Sequence, residues 1–250
     1  MASTGSGKRM NESVRYEDGF RLRGTDPTRM EAFVDAAFAF AVTLLVIAIG
    51  HVPTSVAELI AAMGDVPAFA ASFLLIAQFW LNHRQWSRRY GIEDAFSVRL
   101  SIALVFVILI YVYPLRMLAS MVLPNFSTLD ASVRAVEQAT PSQWRALYVT
   151  FAIGYAAISL IFVALHRHAL VLADTLGLSL VERARTRVIV VRYGVFFAIP
   201  MLSLLLALIV PMRERSLDLS MPGFAYLLLI PAKWLLARHE RRVAVALDRV

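Results

Sequence analysis

The sequence predicts an all-α integral membrane protein with six transmembrane helices and both termini on the cytoplasmic side. Three observations carry that prediction. Of the 250 residues, 59% are hydrophobic and 17% are charged, whereas a soluble domain is about 45–50% apolar and about 25% charged. The apolar residues gather into six runs, each near the ~20 residues a helix needs to cross a bilayer. The basic residues concentrate in alternate connections between those runs.

The first helix is expected over 30–49, stopped by Gly50 with Pro53 beyond it. Thr28-Arg29-Met30-Glu31, just after Pro27, has the spacing of a capping box and sets where this helix starts. The second helix is expected over 66–86, the third over 96–123, the fourth over 144–165 and the fifth over 188–210. The sixth, over 219–236, is the weakest, because Pro222, Pro231 and Lys233 interrupt it. Residues 1–28 are polar and rich in Gly, Ser and Arg, and are expected to form a disordered cytoplasmic tail with no signal-sequence core. The membrane domain then covers 29–238, and 239–250 form a second basic cytoplasmic tail.

Of the 25 Lys and Arg residues, all but Arg116, Arg134, Arg145, Arg213 and Arg215 fall on one side of this arrangement. The positive-inside rule makes that side cytoplasmic and the number of helices even, in a multi-pass protein of the cell membrane. The connection over 124–143, with Asn125, Ser127, Asp130 and Glu137, is then external. The formal charge of +7 reads as topology rather than as a nucleic-acid face. The chain has no Cys, which excludes disulfides, thiolate metal sites and cysteine nucleophiles. It has no phosphate loop, dinucleotide fingerprint, nucleophile elbow, HExxH or Thr-Val-Gly-Tyr-Gly filter, so neither an enzyme nor a cofactor is indicated.

Asp35 lies inside the first apolar run. A carboxylate at the centre of a membrane helix costs roughly 2.5–3.5 kcal/mol on insertion scales, so it requires a partner or water. At about 100° per residue, Phe40, Leu44 and Ile47 share a stripe with Ala36, with Thr43 at its edge, while Glu31, Asp35, Val42 and Val46 point roughly the other way. Lipid, another helix or a pore can each face such a stripe. Ala32, Ala36, Ala37, Ala39, Ala41 and Ala48 allow close helix approach. At the end of the second helix, Gln78-Phe79-Trp80-Leu81-Asn82-His83-Arg84-Gln85-Trp86 lies level with Asp35, and a hydrogen bond from His83 or Asn82 to Asp35 is expected. Arg84 and Trp86 read as interfacial anchors, Pro114 as a kink, and His166 and His168 as helix-end residues rather than metal ligands.

Arg29, Glu31-Ala32-Phe33, Asp35, Phe38-Ala39, Ala41 and Thr43-Leu44-Leu45-Val46 resemble the first-helix signature of the transmembrane protein 175 family of endosomal and lysosomal potassium channels and their prokaryotic relatives. Phe79-Trp80 with His83, and the late Pro114, also fit that family. The resemblance implies a potassium-permeable channel in the bilayer, a homotetramer of six-helix chains with the first helix lining the pore. It places the constriction at Phe40, with Leu44 and Ile47 as further rings and Thr43 a polar neighbour. Arg29, Phe33, Asp35, Trp80, Asn82 and His83 would brace that helix. Two positions depart from the pattern: Val34 replaces a serine, and Phe40 replaces an isoleucine, so that four aromatic rings would meet in a narrow, dewetting constriction. A cation- or proton-coupled transporter using Asp35, and a non-conducting structural membrane protein, are the alternative readings of the same residues.

Overall fold

The computed structural model describes residues 16–17, 19–24, 26–47, 52–123, 139–210, 221–236 and 238. The expected stop at Gly50, most of the 124–143 connection and the 239–250 tail lie outside the described residues. Within them the regular secondary structure is helical apart from one small hairpin. The helices are α1 (Arg29–Ile47), α2 (Val56–Gly64), α3 (Val66–Tyr90), α4 (Ala95–Val122), α5 (Pro141–Val171), α6 (Leu180–Ile209) and α7 (Met221–Leu236). Five of them, α1, α3, α4, α5 and α6, are long and apolar enough to span a membrane. The expected sixth span appears as the shorter apolar helix α7, whose middle tightens into a 3-10 turn at Ala225–Leu228. The chain is therefore a multi-pass membrane protein.

Helix ends differ most from the sequence expectation, and caps explain the difference. Thr140 accepts from the Gln143 amide while Gln143 reaches back, and Ser179 and Glu182 do the same for α6. These boxes, with Pro141 at the first turn, start α5 and α6 in polar sequence that an apolar-run criterion leaves out. Helix α3 likewise runs on to Tyr90, where Gly91 takes the left-handed conformation at φ 60°. The extra helix α2 is capped by Ser55, and its Glu58 carboxylate accepts from the Thr54 amide at 2.7 Å. Helix α4 continues through Pro114 and α6 through Pro200.

Helices α5 and α6 make the most extensive pairing; α4 packs on α5, α1 lies against α3 and α4, and α7 rests on α6. The approach of α4 to α5 depends on Gly154, where a Cβ would come within 2.3 Å of the Tyr111 ring.

Residues 16–17 and 19–24 are ordered where 1–28 is expected to be a disordered tail. Tyr16–Glu17 and Phe20–Arg21 pair as a short antiparallel hairpin around Gly19, at φ 72°. Phe20 is 2% exposed, edge-on to Tyr90 and beneath the Arg89 guanidinium. The Arg23 and Gly24 amides donate to the Arg88 carbonyl. One buried aromatic and one arginine hold this segment down, and a composition average over polar sequence does not register them.

Asp94 caps α4 by accepting from the Ser97 amide at 2.8 Å, and it also pairs with His168 of α5. Partial desolvation of its carboxyl opposes ionisation, but hydrogen bonds from the Ser97 amide, His168 and the Ser97 hydroxyl outweigh it, and Asp94 titrates below the usual 3.8. Such a group stabilises the fold above its unfolded pKa, and that contribution is lost as pH falls through the lower folded value. Asp94→Ala is expected to cost about 1 kcal/mol at pH 7. Thermal unfolding should show the gap from wild type narrowing toward pH 3; a gap that is constant with pH would refute the charged cap.

Candidate functional site: the first helix and its supports

Helix α1 starts where its sequence says it should. Thr28 Oγ1 accepts from the Glu31 amide at 3.1 Å. The Glu31 carboxylate lies 3.8 Å from Arg88 Nε of α3, an interhelical pair that sequence reasoning missed because it had given Glu31 the local capping role. Glu31, Val34, Phe38, Ala41 and Leu45 form the buried face. Val34 is completely buried there, in a position where an apolar side chain packs without requiring a hydrogen-bond partner.

The opposite face points away from the chain's own core. Phe40 is 54% exposed and Ile47 64% exposed, and Thr43 is exposed with its hydroxyl donating to the Ala39 carbonyl at 3.1 Å. Leu44 departs from this stripe. It lies about 40° around the helix from Phe40, toward the buried side, and packs against the core. Phe33 and Arg29, expected as braces, are on the exposed side.

Asp35 does have an interhelical partner, but a different one from those expected. Trp80 Nε1 donates to Asp35 Oδ1 at 2.7 Å, and the Arg84 guanidinium lies 5.6 Å from the Trp80 ring centroid. His83 instead turns inward, with Nε2 3.0 Å from Ser101 Oγ of α4 and its ring near Trp86. Asn82 accepts from Gln78 along its own helix at 2.9 Å. The rotation of α3 accounts for this. With Trp80 facing α1, His83 lies about 60° away, toward α4, and Asn82 about 160° away. The supports α1 receives are therefore Trp80 on Asp35 and Arg88 on Glu31.

The remaining candidates are structural. Trp86 Nε1 donates to the Leu165 carbonyl at 3.1 Å, crossing from α3 to α5. His166 is buried, with Nδ1 donating to the Phe162 carbonyl at 2.8 Å, whereas His168 pairs with Asp94. Among the described residues, no group of three or more His, Asp or Glu side chains is arranged to hold a metal ion.

Residues 29–114, from the start of α1 to Pro114 in α4, match the family model described as endosomal/lysosomal potassium channel TMEM175. A protein from Marivirga tractuosa named "Potassium channel" is 32% identical over 223 residues, covering 87% of this chain and 89% of that one. The chain belongs to the TMEM175 family. The crystal structure of the potassium channel MtTMEM175, solved as a threonine-to-alanine variant with a nanobody–MBP fusion protein, shares its fold with this TMEM175 member. The TM-score is 0.77 at 29% identity, over 92% of this chain and 100% of that one. The matched stretch of this TMEM175 member contains both the Asp35–Trp80 hydrogen bond and the Glu31–Arg88 pair.

Proposed function

We propose that this chain is a potassium-permeable cation channel of the cell membrane, a homotetramer in which α1 of each subunit faces a central pore. The single observation that carries the proposal is the two-sided character of α1. One face is buried in its own subunit, while Phe40, Thr43 and Ile47 project from the other. A pore helix needs both faces, one to hold it in its subunit and one to meet ions and neighbouring copies. The relatives named as potassium channels supply the permeant ion.

In this reading Phe40 forms the constriction, with Thr43 and Ile47 on the same path, and selectivity arises at an apolar ring instead of a carbonyl filter. Leu44 contributes less, being turned toward the core. The membrane domain covers 29–238 with α7 as its sixth crossing and both termini cytoplasmic, consistent with the basic loops. Trp80 and Asp35 position α1 without touching the ion, assisted by Arg88 and by His83 behind them.

Potassium flux into liposomes containing the purified protein, with sodium as competitor, tests the proposal. Potassium uptake above that of protein-free vesicles is expected. Absence of flux from inserted tetramers, or saturable exchange that requires a counter-ion gradient, would overturn it. Trp80→Phe keeps an aromatic side chain but removes the indole N–H, leaving Asp35 without this donor. It is expected to lower the yield of tetramer or the flux about tenfold, since an unpaired membrane carboxylate costs a few kcal/mol; Asp35→Ala, which instead deprives the Trp80 N–H of this acceptor and breaks the same link, is expected to lower them too. A normal tetramer with unchanged flux in both would exclude the positioning role.

A further inference from the structure

Helix α2 carries its bulky side chains on the wrong side for a helix in water. Val56, Leu59, Ile60 and Met63 recur at helical spacing and span an arc of about 100°. All four are between 48% and 73% exposed. The small residues Ala61, Ala62 and Gly64, together with Glu58, occupy the other sides and are half-buried. The helix thus rests on the protein through its small face and turns its bulky apolar face away. Water opposes that arrangement, because removing apolar surface from it is the main favourable term in folding. A contiguous exposed apolar face marks contact with a membrane or with another protein.

The corner after α2 ties it to a membrane-length helix. Asp65 ends α2 and begins α3: its amide donates to the Ala62 carbonyl at 3.1 Å, and its carbonyl accepts from the Phe69 amide at 3.0 Å. Its carboxylate lies 3.6 Å from the guanidinium of Arg116 on α4. Beyond the corner, Val66 and Phe73 share a side of α3 and are also exposed, so apolar surface passes from α2 onto a helix long enough to span the membrane. The nine residues of α2 extend about 14 Å, too short to cross a bilayer. They lie at the end of α3 opposite Arg84, Arg88 and Arg89.

Two features suit the arc to acyl chains rather than to a protein partner. It holds three aliphatic side chains and one thioether, without the Trp, Tyr or Arg anchors that dominate protein contacts. The charged side chain of α2, Glu58, is folded back to the amino-terminal end, where its carboxylate accepts from the Thr54 amide at 2.7 Å and the Thr54 hydroxyl at 2.9 Å. That is also the positive end of the helix dipole. Burial of the arc in lipid therefore leaves the carboxylate at the edge. No Lys or Arg occurs over 48–65, so the attraction is apolar burial and not headgroup charge.

We propose that α2 is an interfacial helix lying along the bilayer surface, with Val56, Leu59, Ile60 and Met63 among the acyl chains of the leaflet away from the basic end of α3. On the orientation proposed above, this is the outer leaflet. The placement does not depend on ion conduction, and its test does not use flux.

The chain has no Cys, so a single introduced Cys can carry the only nitroxide label. Full-length Ile60→Cys, Met63→Cys and Thr175→Cys are labelled and placed in phosphatidylcholine liposomes, with Thr175, in the exposed turn between α5 and α6, as the aqueous reference. Collision with oxygen, which concentrates in lipid, is compared with collision with a water-soluble nickel chelate. The oxygen-to-nickel ratio is expected to be about tenfold higher at Ile60 than at Thr175, at a depth of about 5–10 Å below the phosphates. Equal ratios at Ile60 and Thr175 would place α2 in water and overturn the proposal. Shielding of the Ile60 label from both reagents would overturn it too, since a second copy of the chain would then cover the arc. Met63→Cys gives the same reading independently should Ile60→Cys fail to insert.

Discussion

Phe40→Ala is expected to raise potassium flux several-fold and to reduce discrimination against sodium. Phe40 projects from the exposed face of α1, 54% accessible, five residues along the helix from Asp35 and its Trp80 support. In the proposed tetramer, four such rings would meet on the symmetry axis as an apolar constriction that resists wetting. On that reading, removing them would widen the constriction and lower the barrier for every hydrated cation, so conduction would increase as selectivity falls. Phe38→Ala is the control from the other face. Phe38 is buried in the subunit core, so its truncation should cost about 3–5 kcal/mol of stability and act on assembly rather than on selectivity. Liposome flux with potassium and sodium, alongside thermal unfolding, separates the two. Unchanged conductance and selectivity in Phe40→Ala would remove that residue from the permeation path and leave its face for lipid or a scaffold contact.

Glu182→Gln is expected to destabilise the protein by about 3 kcal/mol and to release the amino-terminal hairpin. The Glu182 carboxylate accepts from both terminal nitrogens of Arg23 at 2.8 and 2.9 Å, from the Arg21 amide at 2.9 Å and from the Ser179 amide at 2.8 Å. Arg23 further donates to the Leu176 and Gly177 carbonyls of the α5–α6 connection. The substituted amide keeps one carbonyl acceptor, but its NH₂ group then faces a guanidinium that is itself largely buried. Trypsin should cut at Arg21 or Arg23 sooner than in wild type, and the midpoint of thermal unfolding should fall. Arg23→Ala in the Glu182→Gln background should recover part of the loss, because it removes the stranded charge. If protease resistance and the midpoint are both unchanged, the hairpin is held by Phe20 alone.

How far the sequence could be read follows from the range over which each cue acts. Caps are local: Thr28 with Glu31, Thr140 with Gln143 and Ser179 with Glu182 are all three residues apart. Cues of that range are legible in the sequence, whereas an apolar-run criterion begins α5 and α6 only after their polar first turns. The requirement that Asp35 have a partner was likewise legible, because an ionised carboxylate among apolar residues is costly whatever surrounds it. Which partner it finds was not. That depends on how α3 is rotated against α1, and the same rotation that brings Trp80 onto Asp35 carries His83 toward Ser101. The resemblance to the TMEM175 family located the relevant stretch of chain, yet it did not supply the Arg88–Glu31 pair, which joins residues far apart in sequence.

The sequence by itself determined the medium and the family of this protein, since apolar length, basic-loop asymmetry and the signature around Asp35 are properties of order along a chain. Tertiary structure alone decided which of those residues meet. It turned Leu44 from the stripe toward the core, made an ordered clamp of a segment that reads as a tail, and left the bulky side of α2 facing outward. The physical reason is the same in each case: helix periodicity states which side chains share a face, while the rotation and depth at which faces dock are settled by packing between elements distant in sequence.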